Sequence, residues 1–197
     1  LFLGGGNVAG NLALVASLEF PTMVSVAHIK TNNTYDSTTN TYIGYFDPKK
    51  CYRYSYSETE SERHFYPVNT SGPSCSGLWS GNYLNWATMQ TIDPFRKALT
   101  GGYRARDTTT ETWLEKAKQD GQGSMTNFPN RAISSSKITG ATPFGWGNFR
   151  TRILGLGNKM YFTDAGTLGT TANLSDISPT PIIAYDPSAG SWDNTKI

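Results

Sequence analysis

The stretch WSGNYLNWATMQTIDPFRKALTGGYRARDTTTETWLEKA, from Trp79 to Ala117, decides how this 197-residue chain is read. It predicts a helix, a glycine stop and a second capped helix. On a helical wheel begun at Tyr83, the residues Tyr83, Leu84, Ala87, Ile92, Phe95, Ala98 and Leu99 share one half. Asn82, Asn85, Gln90, Asp93, Arg96 and Lys97 share the other. Trp86 and Met89 break the division, because both fall on the polar half. A helix with large apolar groups on both sides is either covered by more chain or offered to a partner. Trp86 in particular reads as an interface anchor, with Met89 beside it and Trp79 upstream; the alternative is that loops after residue 118 cover it.

The ends of these helices carry their own signals. Ser80 can cap the first by accepting from an orphan amide. Gly101 and Gly102 stop it, since glycine takes the left-handed conformation without a Cβ penalty. Pro94 lacks an amide proton, so it kinks the helix or restarts it with Asp93 as a new cap. Thr108 to Glu111 has the capping-box pattern and is expected to open the second helix, whose apolar side is Trp113, Leu114 and Ala117.

The blocks WSGNYLNWATMQTIDPFRKAL, the glycine pair and DTTTETWLEKA, in that order, resemble the amino-terminal region of the PilC/PilY-type tip proteins of type IV pili. The upstream segment YIGYFDPKKCYRY, Tyr42 to Tyr54, is similar to that family's segment around its cysteine. The resemblance runs over positions 42 to 117, with Pro94 as a departure that bears on the straightness of the helix. It implies a Rossmann-like von Willebrand factor A-type α/β core with a loop- and hairpin-rich insertion at roughly 31–79. Residues 1–197 would form the amino-terminal A-type-like domain, incomplete at its C-terminus, of a longer protein. It further implies a non-enzymatic extracellular protein at the pilus tip or outer surface of a Gram-negative bacterium. Such a protein acts in pilus assembly, twitching motility and adhesion. Its expected partners are minor pilins and, beyond them, a receptor on a host or abiotic surface.

Composition fits that setting. The chain is poor in charge and rich in Gly, Thr, Ser, Asn, Tyr and Trp, which suits an extracytoplasmic protein with long loops. A formal charge of +2 gives no footprint for nucleic acid. Arg96, Lys97, Arg104 and Arg106 cluster locally, as a solvated helix end does. No apolar run is long enough to span a bilayer. The beginning LFLGGGN and the end SWDNTKI read as the edges of a piece of something longer. Cys51 and Cys75, an even pair in a secreted-looking chain, favour a bridge over two free thiols. With His28 and His64 they lack the spacing of a zinc site.

Elsewhere the pattern is coarser. Asn11 to Leu18 reads as a buried strand, a pattern a helix also fits, Phe20 to Ile29 as a helix, and Tyr42 to Tyr56 as a hairpin turning at Asp47-Pro48. Ser57 to Ser76 reads as polar loop, and Pro181 to Tyr185 as a strand. No metal is expected: where A-type domains place an Asp and two Ser after their first strand, this chain has Ser17, Glu19 and Pro21. No cofactor is expected either. Gly4 to Ala9 precedes the apolar run, whereas a dinucleotide fingerprint follows one. In GLWSG, Gly77 to Gly81, the serine falls one place late for a nucleophile elbow. Asp93, Asp107, Glu111 and Glu115 are explained by capping and helix-surface pairing, so no catalytic residue is assigned. The tyrosines at 42, 45, 52, 54 and 56, with Trp79, Trp86 and Trp146, can build a core or a sugar-stacking platform. A carbohydrate-binding surface module of a secreted protein is therefore the alternative function.

Overall fold

The computed structural model describes residues 20–23, 25–28, 35–70, 74–117, 128–129, 131–154, 159–163, 184–186 and 191–193. They form a mixed α/β unit of short elements. In chain order these are α1 (Phe20–Met23), β1 (Lys50–Ser55), a 3-10 turn (Glu60–Glu62), β2 (His64–Thr70), β3 (Trp79–Ser80), α2 (Gly81–Thr88) and α3 (Ile92–Thr100). There follow β4 (Arg104–Asp107), β5 (Thr112–Leu114), β6 (Arg131–Ile133), α4 (Ser135–Ala141), β7 (Phe149–Leu154), β8 (Lys159–Thr163), β9 (Ala184–Asp186) and β10 (Ser191–Asp193). Two three-stranded sheets, ordered β2-β1-β3 and β6-β7-β8, accompany the ribbons β4-β5 and β9-β10.

Every strand pairing among the described residues is antiparallel. A Rossmann-like sheet rests on parallel pairs joined by helical crossovers. The fold class therefore stands as mixed α/β. The apolar run Asn11 to Leu18, expected as the first strand of an A-type core, lies outside the described residues, as do Ser17 and Glu19.

The first expected helix is two helices. Ser80 caps α2 as its sequence suggests, accepting from the Tyr83 amide at 3.4 Å. The helix then ends at Met89, whose backbone is extended. The chain at Met89–Thr91 pairs instead with Ser25–Ala27: Ala27 donates to the Met89 carbonyl at 2.8 Å and Thr91 donates to Ser25 at 3.0 Å. Of the two outcomes Pro94 allows, the restart is the one found, but Thr91, not Asp93, stands at the N-cap and Asp93 lies within the first turn. Pro94 falls in the first turn of α3, where its missing amide leaves no bond unmade. Gly101, at φ +82°, closes α3, and Gly101 and Gly102 donate back to Lys97 and Arg96.

The second expected helix is a hairpin. Thr108 Oγ1 accepts from the Thr110 and Glu111 amides, the local bonding a capping box uses, but here it closes the turn between β4 and β5. Threonine side chains serve turns as readily as caps, and Thr112 is β-branched and Trp113 aromatic, which suits a strand. The hairpin expected at Tyr42 to Tyr56 is also redrawn. Asp47–Lys50 does turn, but β1 after it pairs with β2 and β3, so part of the polar stretch Ser57 to Ser76 is strand. Of the helix expected at Phe20 to Ile29, only the single turn α1 is found among the described residues.

One aromatic core joins these pieces. Tyr35, Tyr42, Tyr52, Trp79, Tyr83 and Trp86 pack with Ile133, Ile138, Phe144, Phe149 and Phe162. Trp79 sits centrally, 5.2 Å from the Phe162 ring, 5.5 Å from Phe144 and 5.9 Å from Tyr83. Such pairs add about 1 kcal/mol each beyond the area they bury. The segment expected as an insertion thus shares its core with residues 133–162. Cys51 and Cys75 are disulfide-bonded, both buried, with Cα atoms 5.6 Å apart and a separation of 24 in sequence. Closing a loop of that length stabilises by roughly 3 kcal/mol in the chain-entropy model. The bridge also seats Cys75 on α4, where its amide donates to the Gly140 carbonyl at 2.7 Å.

Candidate functional site

The buried helix α2 organises the segment that crosses it. Asn82 and Asn85, placed by periodicity on a polar half, are 1% and 0% exposed. Their amides stand in for a neighbouring strand. Asn82 Oδ1 accepts from the Tyr42 amide at 2.7 Å, and Asn82 Nδ2 donates to the Asn40 carbonyl at 3.1 Å. Asn85 Nδ2 donates to the Tyr42 and Phe46 carbonyls, both at 2.8 Å, and its Oδ1 accepts from the Phe46 amide at 3.0 Å. Backbone polar groups that would otherwise be buried unpaired are thereby satisfied. Gly44 permits the close approach: a Cβ there would stand 2.4 Å from Asn85 Oδ1 and 2.5 Å from Met89 Cγ. Periodicity alone cannot distinguish an asparagine that faces water from one that bonds a buried backbone.

The three residues expected at an interface lie inside the fold: Trp86 is 0% exposed, Met89 1% and Trp79 4%. Their large side chains serve packing, because α2 is covered all round. Trp86 is covered by Tyr35, Tyr42, Tyr83 and Arg131. Arg131, on β6, lays its guanidinium 3.8 Å from the Trp86 ring centroid. It donates to the carbonyls of Trp86 and His28. Among the described residues no carboxylate pairs with it, and burial pulls it down to about 9. The ring face and two carbonyl dipoles take the place of a counter-ion.

A second buried polar group locks the start of α3. Asp93 accepts from the Gln90 amide at 2.9 Å and the Ala117 amide at 2.7 Å. Lys116 donates to Gln90 Oε1 at 3.2 Å and to the Ala117 carbonyl at 2.6 Å. Burial pushes Asp93 above the usual carboxylate range and Lys116 down to about 8, against the opposing pull of Asp93 and Glu115. The folded state releases the Lys116 proton near pH 8, whereas the unfolded chain holds it to about 10.4. In that window the unfolded chain binds more protons, so stability rises with pH. The urea midpoint is expected to climb more steeply between about pH 8 and 10 in the wild type than in Lys116→Met. Equal slopes in the two proteins would remove Lys116 from the account.

At the surface, the β4-β5 ribbon leans on β2. Trp113 stacks on His64 with ring centroids 4.0 Å apart, and Arg106 lies 4.5 Å over Trp113 while pairing with Glu62 and Glu111 at 3.2 Å. His28 is engaged elsewhere, its Nε2 2.7 Å from the Ile43 carbonyl. Ser80 of GLWSG spends its hydroxyl as the cap of α2. Among the described residues no three His, Cys, Asp or Glu side chains come together as a metal site. A shallow cavity of about 320 Å³ is lined by Ser37, Ser74, Ser76, Ser136, Lys137 and Thr139, and Lys137 pairs with Asp36 at 2.9 Å. Among the described residues the exposed large apolar side chains are Ile43, Tyr66, Val68, Phe95, Leu99 and Tyr103. None of these six was singled out as an interface residue from sequence. The signal was present for two of them, Phe95 and Leu99, which lie four apart on one helix face.

A disulfide-tied, asparagine-braced small α/β unit is thus what the chain builds. The family model described as "PilY1 homolog, small alpha/beta domain" matches residues 32–176, and the chain belongs to that family. Two proteins of Xylella fastidiosa (strain Temecula1 / ATCC 700964), each named type IV pilus biogenesis factor PilY1 homolog, are similar to it. One is 50% identical over 192 residues, covering 94% of this chain and 15% of the relative. The other is 40% identical over 74 residues, covering 38% of this chain and 5% of the relative. The chain therefore spans a small part of the length of either relative. No solved structure matches it.

Proposed function

We propose that this chain is part of a longer, non-enzymatic type IV pilus biogenesis protein, and that it works outside the cell, at the pilus tip or outer surface. The observation that carries the reading is membership of the PilY1-homolog family over residues 32–176, with a 50% identical relative named for pilus biogenesis. The Cys51–Cys75 disulfide supports an oxidising compartment. No helix among the described residues is long and apolar enough to cross a membrane.

On this reading the small α/β unit accompanies an A-type core completed by chain outside the described residues. Its contacts are to minor pilins and, in adhesion, to a host or abiotic surface receptor. Those contacts are made by shape and apolar area on the exposed elements. A sugar-stacking platform would need exposed rings, and Trp79, Trp86, Tyr42 and Tyr52 are committed to the core. The test is a pull-down of the purified full-length protein against the minor pilins of its own organism. Specific capture is expected. No capture by protein whose far-ultraviolet circular dichroism and melting are intact would sink the pilin contact.

A further inference from the structure

Arg131 Nε, Tyr83 Oη and Thr151 Oγ1 have no hydrogen-bond partner among the described residues, although their residues are only 2%, 0% and 1% exposed. Folded interiors hold few such groups, because each has given up its hydration without a replacement. The fold brings these three together. Arg131 on β6 and Thr151 on β7 are directly paired across the antiparallel ladder. Opposed residues send their side chains to one face with Cβ atoms about 5 Å apart, so the Thr151 hydroxyl lies beside the arginine stem that carries Nε. Tyr83 reaches the same face from α2: its ring stands edge-on to Phe149, two residues before Thr151 on β7, with centroids 6.0 Å apart. Burial pushes the Tyr83 hydroxyl up, while Thr151 and Arg131 pull against it as close neighbours. The two hydroxyls are thus near enough to act on each other, but they lack the geometry of a hydrogen bond. Trp86 Nε1 is unpartnered as well, but no contact places it beside Thr151, and it stays outside the set.

Charge chooses what joins them. Arg131 commits Nη1 and Nη2 to the Trp86 and His28 carbonyls and lays its guanidinium on the indole. Carbonyl dipoles and a ring face oppose the charge only in part, and no carboxylate pairs with it among the described residues. A buried charge without a counter-ion is costly. All three orphan groups can donate a hydrogen. A water would satisfy donors and leave the charge as it is, whereas a small anion answers both needs. Three donors suit a single atom; the oxygens of a phosphate or sulfate would leave buried acceptors unpaired. We propose that Arg131 Nε, Tyr83 Oη and Thr151 Oγ1 hold a buried monovalent halide, chloride in size and charge, which ties α2 to the β6-β7 pair. The site is independent of the pilus reading.

The test uses the full-length protein with chloride and bromide as probes. Hydrogen exchange of the α2 amides is followed at constant ionic strength while gluconate is replaced by chloride. Once the site fills, exchange is expected to slow by up to about tenfold for each tenfold rise in chloride, because opening releases the ion. Thr151→Val and Tyr83→Phe keep the shape and remove one hydroxyl each, and whichever folds is expected to lose most of that dependence. In crystals grown with bromide, anomalous density is expected between the three atoms. Exchange indifferent to chloride, or a water at that position, would overturn the proposal. Bromide density without chloride-dependent protection would mean an adventitious ion only, and dependence undiminished in both variants would put the ion elsewhere; either result overturns the site.

Discussion

Trp86→Ala is expected to cost about 5 kcal/mol and to leave the domain unfolded or close to it. Removing a buried tryptophan costs roughly 3–5 kcal/mol in transfer and cavity terms. Here the ring also carries the Arg131 guanidinium, 3.8 Å from its centroid, and a desolvated cation–π contact is worth about 2 kcal/mol. Small domains have about 5–15 kcal/mol in total, so the loss is of the same order as the margin. Tyr35, Tyr42 and Tyr83, which touch the indole, would line the void. Trp86→Phe is the milder change. It keeps a ring face for Arg131, and it forfeits no hydrogen bond, because Trp86 Nε1 has no partner among the described residues. Urea unfolding followed by circular dichroism measures both. An alanine variant with an unchanged midpoint would mean that Trp86 is not the core residue its burial makes it.

That expectation inverts the reading of Trp86 as a surface anchor, and the inversion is instructive. The sequence placed helix over the span of α2 and α3 and assigned the first cap and the final stop. Ser80 and the Gly101–Gly102 pair act as the local rules require, since capping depends on neighbours within a few residues. The cysteine pair was legible for the same kind of reason, from count and compartment. What the wheel missed is tertiary. Asn82 and Asn85 look solvent-facing until a backbone arrives that needs their amides, and only Gly44 hints at so close an approach. With the polar face of α2 sealed in this way, Trp86 and Met89 become interior. Conversely, Phe95 and Leu99 were counted with the core half because the wheel treats Tyr83 to Leu99 as one helix. The restart at Ile92 breaks that continuity, and the same apolar stripe then faces out. The Thr108–Glu111 segment shows the remaining ambiguity: one hydrogen-bond pattern serves a helix cap and a hairpin turn, and the strand propensity of Thr112-Trp113-Leu114 decides between them.

Arg131→Ala is expected to cost about 4 kcal/mol, although it removes a buried charge. Relief from desolvation would by itself stabilise, since an arginine pulled down to about 9 is an unfavourable guest in the folded state. Against that stand two carbonyls, of Trp86 and His28, that lose their donor while partly or fully buried, at about 1–3 kcal/mol each. The stem and guanidinium packed on the indole are lost too. Lysine is a poor substitute. A single ammonium cannot lie flat on a ring and fork to two carbonyls from separate segments, so Arg131→Lys should recover less than half of the loss. Arg131→Met, which restores the packing without the donors, separates the two contributions. Combining Arg131→Met with Trp86→Phe in a double-mutant cycle should return a coupling of about 0.5–2 kcal/mol, because the two side chains touch. If Arg131→Ala and Arg131→Lys both melt within about 1 kcal/mol of wild type, the carbonyls must find water, and the charge is then tolerated by the fold instead of holding α2, β6 and the His28 segment together.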